Sequence, residues 1–490
     1  MSIKNEFVVL VASVLIASFG LGVGKRVVSY IYDYVKNKQM QPERNYENSS
    51  SDDANETNST CNTGEKTTPC VKTTERIIGR TGKIVIDSKI ILGKGEQGQV
   101  YRGKFENETP AAVKEILHGE SEKNYATRQL VRKANQNLLQ KHCENIVRYY
   151  CFDIEKKTAL YICMELCDCD MDNFINNSPD SLPDNSLEQI LKGMEFLHDL
   201  RLLHRDIKPS NVLVTTNIYR EVILKLSDFS ISKKMSQLCG VESDLYVGTP
   251  NWMAPEISIE ISKARTSTST APQITFTMSA DIFSLGLVCF YIATKGVKLY
   301  TSQSVIDNDN NSMSQSEISQ LDSQPLKKDM VQRMTDFNAS NRPTAMVCLK
   351  HPCHWSVETS LDFFERASDW LNAKVMPSAY AVMTSAIESR ANQVFSQPWG
   401  KNLTPRVHSE LFPTRARGKA SYDPTKLKSL LRAVRNTKHH IHDMPGLHSE
   451  IGTSQKSVLD YWTGRFPMLL LTVHQEFRQL AHRDDFKRFY

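Results

Sequence analysis

Several features that would settle a class at once are missing from the 490-residue chain. Its eleven cysteines are scattered, Cys143, Cys151, Cys163, Cys167 and Cys169 among them, and no matched Cys-x-x-Cys pairs occur. Without two such pairs a zinc ribbon is excluded, and the odd, dispersed thiols suit a reduced cytosolic domain. No segment repeats with a period of about 20–50 residues, which excludes solenoids and propellers. The net charge of +5 is too small over this length for the whole surface to attract nucleic acid, so any basic surface is local. What is there is globular: 40% hydrophobic and 23% charged residues, with length for about two or three domains.

The N-terminus differs in kind. "FVVLVASVLIASFGLGVG", Phe7 to Gly24, carries no charge over 18 residues. As a helix it would span roughly 27 Å, the short end of what crosses a bilayer. Lys25 and Arg26 follow at once and only Lys4 precedes, so the positive-inside bias puts the C-terminal bulk in the cytosol. Residues 1–24 therefore read as a membrane anchor, a cleaved signal peptide being the alternative. Residues 25–82 read as a disordered linker, for "NYENSSSDDANETNSTCNTGEKTT" holds almost nothing to bury. Strand-like alternation begins at "KIVIDSKIILG" from Lys83. The runs 263–275 and 301–320 look like surface inserts, and from Ser356 onward the pattern turns helical, as in "LDFFERASDWL" and "LKSLLRAVRN".

"LGKGEQGQV" places Leu92, Gly93, Gly95, Gly98 and Val100 directly after a strand. Alone this is weak, since turns also use glycine. Sixteen residues past Gly98, "AAVKE" supplies Ala112 and Lys114. "HRDIKPSN" then supplies Asp206, Lys208 and Asn211, "SDFS" supplies Asp228, and "MAPE" ends at Glu256. In this order and spacing the set resembles the protein kinases. Lys114 can hold phosphates, Asn211 and Asp228 are hard oxygen ligands for Mg²⁺, and Asp206 can accept a hydroxyl proton beside Lys208. Met164, Glu165 and Cys167 stand where a hinge would grip the adenine of ATP or ADP. Two departures stand out. "TRQLVRKANQNLLQKH", with Asn135 or Gln136 nearest the expected position, offers no acid to pair with Lys114, and Ser230 replaces the usual glycine after Asp-Phe. Both predict nucleotide binding with slowed phosphoryl transfer.

The pattern closes near "NRPTAMVCLKHPCHW", which puts Arg342 in the last structural helix and a boundary at Trp355, yet 135 residues follow. From "HPCHWS" through "SLLRAVRNTKHH" to "RFP" the chain resembles the kinase-extension nuclease domain of the inositol-requiring enzyme family, the endoplasmic-reticulum stress sensors. RNase L is more distant, since no ankyrin-type repeats precede the kinase pattern. The resemblance implies an α+β bilobal kinase fold over 83–355 and an all-α nuclease domain over 356–490. It places the nuclease residues on Tyr422, Arg435, Asn436 and His440. Attack of a 2′-hydroxyl on its own phosphate needs a proton acceptor, a phosphate clamp and an acid, and no metal. Tyr422 suits the first need or positions the hydroxyl, Arg435 the second and His440 the third. His439 and His442 read as surface or packing residues, and Thr437, where relatives often have lysine, predicts a weaker grip on RNA.

Asp423-Pro424 looks like a helix start, with Leu427, Leu430, Leu431 and Val434 as a buried stripe. A straight helix over 424–440 would separate Tyr422 from His440 by roughly 24 Å. The expectation is therefore a helix that stops near Asn436 and turns back. The whole implies a membrane-tethered, nucleotide-regulated endoribonuclease at the endoplasmic reticulum, active as a homodimer on stem-loop RNA and leaving a 2′,3′-cyclic phosphate. Autophosphorylation would fall on Ser232, Ser236, Ser243 or Thr249. Only six residues precede the apolar run where such sensors carry a luminal domain, so the chain reads as a relative lacking it or as an incomplete product. A serine/threonine kinase with a merely dimerising tail, or a scaffold with neither activity, are the rival readings.

Overall fold

The computed structural model describes residues 75–78, 82–95, 98–106, 108–117, 138–155, 159–229, 233–234, 241–243, 248–266, 274–299, 315–372, 377–413 and 422–490. The expected anchor and the linker through residue 74 lie outside these, as do Asn135, Gln136, Ser230, Ser232 and Ser236. Among the described residues no helix is long and apolar enough to cross a membrane.

Six antiparallel strands form the first lobe: β1 (Glu75–Ile78), β2 (Ile84–Gly95), β3 (Gly98–Phe105), β4 (Thr109–Leu117), β5 (Tyr149–Glu155) and β6 (Ala159–Glu165), in the order β1-β2-β3-β4-β6-β5. The period of two sorts each strand's side chains onto opposite faces. On β4 and β6, Ala111, Val113, Tyr161 and Cys163 pack with Ile84 and Ile86 on the outer face. Ala112, Ile116, Leu160, Ile162 and Met164 face the second lobe. β1 corrects the expected linker boundary. Residues 75–78 pair with 84–87, because Ile78 finds a buried place beside β2 and is only 1% exposed.

The second lobe is helical. Met278–Ala293 is apolar nearly all round, as a central buried helix must be, and Ser186–Asp199 packs against it. Arg342, expected within a helix, follows a 3-10 turn at Ala339–Asn341 instead. Its fully buried guanidinium clamps both oxygens of Glu256 at 2.7 Å. Of the expected inserts, 263–266 continue the Pro255–Thr266 helix and 274–275 open a short strand paired with Val241–Ser243.

The tail has its own core. Val357–Asn372 buries Leu361, Phe364, Ala367, Ser368 and Leu371 at helical spacing, and Leu427–His440 packs along it. Gln455–Arg465 and Leu469–Phe477 complete the cluster around Trp399, Trp462 and Phe466. Tail and kinase lobe meet at an aromatic junction. Trp355 lies 5.1 Å from Phe363, 5.3 Å from His474 and 5.3 Å from Phe489 by ring centroids. Asp329, in the lobe helix Pro325–Met334, accepts from Gln475 of the tail at 2.9 Å and pairs with His351 at 3.0 Å.

Burial pushes the imidazole pKa of His354 down to about 4 and that of His474 to about 3. Each must be neutral in the fold but titrates near ~6.5 when unfolded. Unfolding therefore takes up protons between these values, so stability is full above the unfolded pKa and falls with pH below it. The unfolding midpoint in denaturant should be flat between pH 7 and 8 and decline steadily from about pH 6.5 to 4.5. Replacing His474 by Phe should flatten that decline.

Candidate functional site

A cavity of about 340 Å³ separates the lobes. Leu92, Gly93, Val100, Ala112, Lys114, Met164, Cys167, Asn211 and Asp228 line it, with Tyr149 and Phe229 at its rear. Lys114 reaches Asp228 across the lobes at 2.6 Å. Three expected residues stand elsewhere. Gly98 has φ +140° and a Cβ there would sit 1.9 Å from the Glu115 carbonyl, so its glycine is demanded by strand β4. Gly95 pairs with Gly98 at the tip of the β2–β3 hairpin, beyond the lining. The Glu165 carboxylate turns away, accepting from the Arg148 backbone at 2.7 Å and pairing with Lys225 at 3.0 Å.

The catalytic-type loop is assembled around Asp206. Asn211 donates to its Oδ2 at 3.1 Å, Lys208 pairs with the same oxygen at 2.9 Å, and Thr249 donates to Oδ1 at 2.6 Å. Lys208 also donates to the Thr249 hydroxyl at 2.8 Å. That hydroxyl thus sits inside the site, between Asp206 and Lys208. Beneath the loop lies a residue that sequence reasoning missed. Asp281, 3% exposed, accepts the backbone N–H of His204 at 2.8 Å and of Arg205 at 2.9 Å. Burial works to raise its pKa, but the His198 hydrogen bond and the nearby imidazoles hold it below the ordinary carboxylate value. The signal was available: Asp281 is the lone acid in an otherwise apolar helix. Arg205 and Asp228 both adopt left-handed φ, at 71° and 62°, strain that the packed loop sustains. The His204 and Phe229 rings, 5.0 Å apart, and Tyr149, 5.8 Å further, form a column from this loop to the sheet.

Asn211 and Asp228 fit a nucleotide-borne Mg²⁺, which takes one or two protein carboxylates and fills its shell with phosphates and water. Among the described residues no group of three or more His, Cys, Asp or Glu is placed to hold a metal by itself.

In the tail, the helix that carries Arg435, Asn436 and His440 departs from expectation. It begins at Leu427, not Pro424, because both oxygens of Glu388 cap the first amides, Leu427 at 2.8 Å and Lys428 at 3.0 Å. It runs unbroken through His440 before a 3-10 turn at Ile441–Asp443, which overturns the expected stop at Asn436. Basic side chains at its end suit the helix dipole, and Glu365 holds Lys438 and His439 in place. Tyr422, Arg435 and Asn436 still meet, because the chain ahead of the helix folds back along it. Asn436 Nδ2 donates to the Tyr422 hydroxyl at 2.9 Å, and Arg435 Nη1 donates to Asn436 Oδ1 at 3.3 Å. The Arg432 guanidinium lies 4.8 Å over the Tyr422 ring. His440 stands one turn past Asn436 on the same face, about 5–6 Å on by Cβ spacing. Its side chain is 51% exposed, with Nδ1 3.5 Å from Asp443. The stripe of Leu427, Leu430, Leu431 and Val434 is buried as expected.

Thr437 is 1% exposed and bonds back to the Ala433 carbonyl at 2.8 Å. It faces the core, whereas the sequence reading points it toward RNA. Asp369, also missed, takes Arg435 Nε at 3.0 Å and so fixes the guanidinium. Asp362, Glu365 and Asp369 recur at helical spacing in "LDFFERASDWL", a stripe overlooked when only apolar positions are followed.

A two-lobed cleft with a paired lysine and aspartate, closed by an Asp281-anchored loop, defines a protein kinase, here continued by a helical tail. The protein kinase domain model matches residues 86–354, and the ribonuclease 2-5A model matches 360–490. The chain belongs to the inositol-requiring kinase/endoribonuclease family, within the protein kinases. It is similar to serine/threonine-protein kinase/endoribonuclease IRE2 of Homo sapiens, 31% identical over 84% of this chain and 43% of that one. With serine/threonine-protein kinase/endoribonuclease ire-1 of Caenorhabditis elegans the identity is 28%, over 83% and 41%. With the sensor for unfolded proteins in the ER ire1 of Schizosaccharomyces pombe it is 30%, over 81% and 38%. The chain thus spans less than half the length of these relatives.

Asp281→Asn tests the loop's foundation. An amide cannot accept at both positions, so one buried backbone N–H loses its partner at a cost of about 1–3 kcal/mol. Chemical denaturation should show that loss, and hydrogen exchange should quicken at His204 and Arg205.

Proposed function

We propose that the chain is a nucleotide-regulated endoribonuclease whose kinase domain acts mainly as a switch. The observation that carries this reading is the Asn436 amide, which ties the Tyr422 hydroxyl to the Arg435 guanidinium one turn from His440. Three of the functions needed for phosphodiester transesterification then lie along one ridge. Arg435 spends two of its five N–H donors on Asp369 and Asn436, and the others suit a phosphate oxygen. Tyr422 takes or positions the 2′-hydroxyl proton. As the 2′-oxygen bonds to phosphorus and the 5′-oxygen leaves, His440 gives that oxygen a proton, leaving a 2′,3′-cyclic phosphate. The exposure of His440 suits a single-stranded loop of RNA entering from solvent.

In the cleft, the backbone at Glu165 and Cys167 faces adenine, Lys114 holds the phosphates, and Asn211 and Asp228 hold Mg²⁺. The ion supplies charge neutralisation between the phosphates. Asp206, already gripped by Lys208 and Asn211, accepts the substrate hydroxyl proton. Ser232, Ser236, Ser243 and Thr249 are the proposed autophosphorylation sites. With no acid in 127–142 to aim Lys114, transfer is slow and nucleotide occupancy carries the signal. By analogy with the Schizosaccharomyces pombe relative, a sensor for unfolded proteins in the ER, the protein works at the endoplasmic-reticulum membrane. The Phe7–Gly24 segment anchors it once, the rest stays cytosolic, and homodimers pair the nuclease domains.

A stem-loop RNA should be cut in EDTA, and His440→Ala should slow that cutting by about 10²–10⁴-fold, the range of general acid catalysis. Equal cutting by both proteins would remove His440 from the acid's role. Asp206→Ala should abolish incorporation of labelled phosphate while leaving RNA cleavage in place. Phosphate transfer without RNA cleavage would favour a kinase with a dimerising tail, and neither activity a scaffold.

A further inference from the structure

Two thiols outside both sites face each other across the outer surface of the first lobe. Cys151 on β5 and Cys163 on β6 are direct register partners. Opposed residues of an antiparallel pair hold their Cα atoms about 4.5–5.5 Å apart, within the roughly 4.4–6.8 Å that a disulfide spans. Both side chains lie on one face: Cys163 belongs to the buried cluster there, and Cys151 packs against it. Their accessibilities differ. Cys163 is 0% exposed, while Cys151 is half-buried and reachable from solvent. No third metal-ligating group joins them among the described residues.

We propose that Cys151 and Cys163 form a thiol–disulfide exchange site, with Cys151 the attacking and Cys163 the resolving thiol, for a small disulfide of the oxidised-glutathione class.

Electrostatics point the same way. The Cys151 thiol is lowered, first by the neighbouring Cys163 thiol, against burial and the Asp153 and Glu106 charges and with help from Lys83. The Cys151 thiol beside it, together with burial, pushes the Cys163 thiol far up. The other described cysteines are all raised, chiefly by burial. Thiolate character therefore concentrates at the reachable member of the pair. Cys151 attacks one sulfur of the small disulfide, which expels a glutathione thiolate and leaves a mixed disulfide. Cys163 then attacks the Cys151 sulfur and expels the second glutathione, which takes up the Cys163 proton. The protein loses two hydrogens as one disulfide becomes two thiols. The bond would pin β5 to β6 beside Ile162 and Met164, which line the cleft from the opposite face.

The full chain is equilibrated in glutathione buffers of rising oxidised fraction, acid-quenched, alkylated and digested with trypsin, which cuts at Lys156 and Lys157 between the two thiols. The expected product joins the Cys151 and Cys163 peptides, grows with the oxidised fraction and disappears on return to reduced glutathione. Cys151→Ser should abolish the link and leave Cys163 reduced. Cys163→Ala, which keeps the buried position apolar, should stop at a glutathione adduct on Cys151. A parent chain that keeps both thiols alkylatable at every ratio, or that accumulates the Cys151 adduct with Cys163 free, overturns the proposal. So does a link between Cys163 and Cys167.

Discussion

The aromatic junction around Trp355 and Phe363 is the constraint on which the rest depends. Aromatic rings bury large area and prefer edge-to-face contact, so a cluster of this kind resists sliding. Phe363 packs against Trp355, His474, Phe477, Phe486 and Phe489, drawing the lobe's last residues into the tail's own core. The Asp329 carboxylate adds a polar stitch through His351 and Gln475. Lobe and tail therefore move as one block, and reorientation of the kinase lobe is reorientation of the nuclease ridge. A nucleotide can govern a distant cluster only through differential contact with two arrangements of such a block.

Within the tail the same logic applies on a smaller scale. The Val357–Asn372 helix turns its apolar side into the core and its acidic side toward the nuclease helix. Asp369 restrains Arg435, while Glu365 takes Lys438 and His439. Partial burial works to raise the Glu365 pKa, yet those two hydrogen bonds bring it below the usual value. The basic end of the nuclease helix is thus partly neutralised along one edge. Asn436 and His440, one turn apart, lie on the next face, beside a guanidinium that Asp369 holds through Nε. His439 is an exposed residue bonded to Glu365, and His442 is exposed too, both within the expected surface-or-packing reading.

Residues whose chemistry fixes both type and spacing were legible in the sequence. Lys114, Asp206, Asn211 and Asp228 belong to this kind, since phosphate, metal and proton each demand one sort of side chain. The apolar stripe from Leu427 to Val434 was legible because burial imposes its own period. What escaped was set by partners far along the chain. The nuclease helix starts where Glu388 caps it, 39 residues before Leu427, and no local rule contains that cap. Gly98 is glycine because the β4 backbone crowds it, a contact that pattern alone assigns to phosphate. Asp281 stood out as the lone acid in an apolar helix, but its role appears only once the loop above it is in place. Thr437 looked like a lost cation and is a core residue, because helix phase decides which way position 437 points.

The lobes' relation at the cleft follows from where Lys114 finds charge. A lysine that is 7% exposed cannot remain without an anion nearby, since desolvation of an ammonium is costly. Here Lys114 reaches Asp228 at 2.6 Å, across the gap between sheet and helical lobe. Asp228 is at the same time the carboxylate best placed for Mg²⁺, and it sits in strained left-handed backbone beside the buried Phe229 ring. Nucleotide phosphates and Mg²⁺ at this spot would give Lys114 new anions and Asp228 a new cation together. One ion pair across the lobes would give way to a larger one that includes the nucleotide. On the proposed reading, closure of the cleft would follow its occupant, and the packed junction below is the route by which that occupant would reach the ridge that holds Asn436.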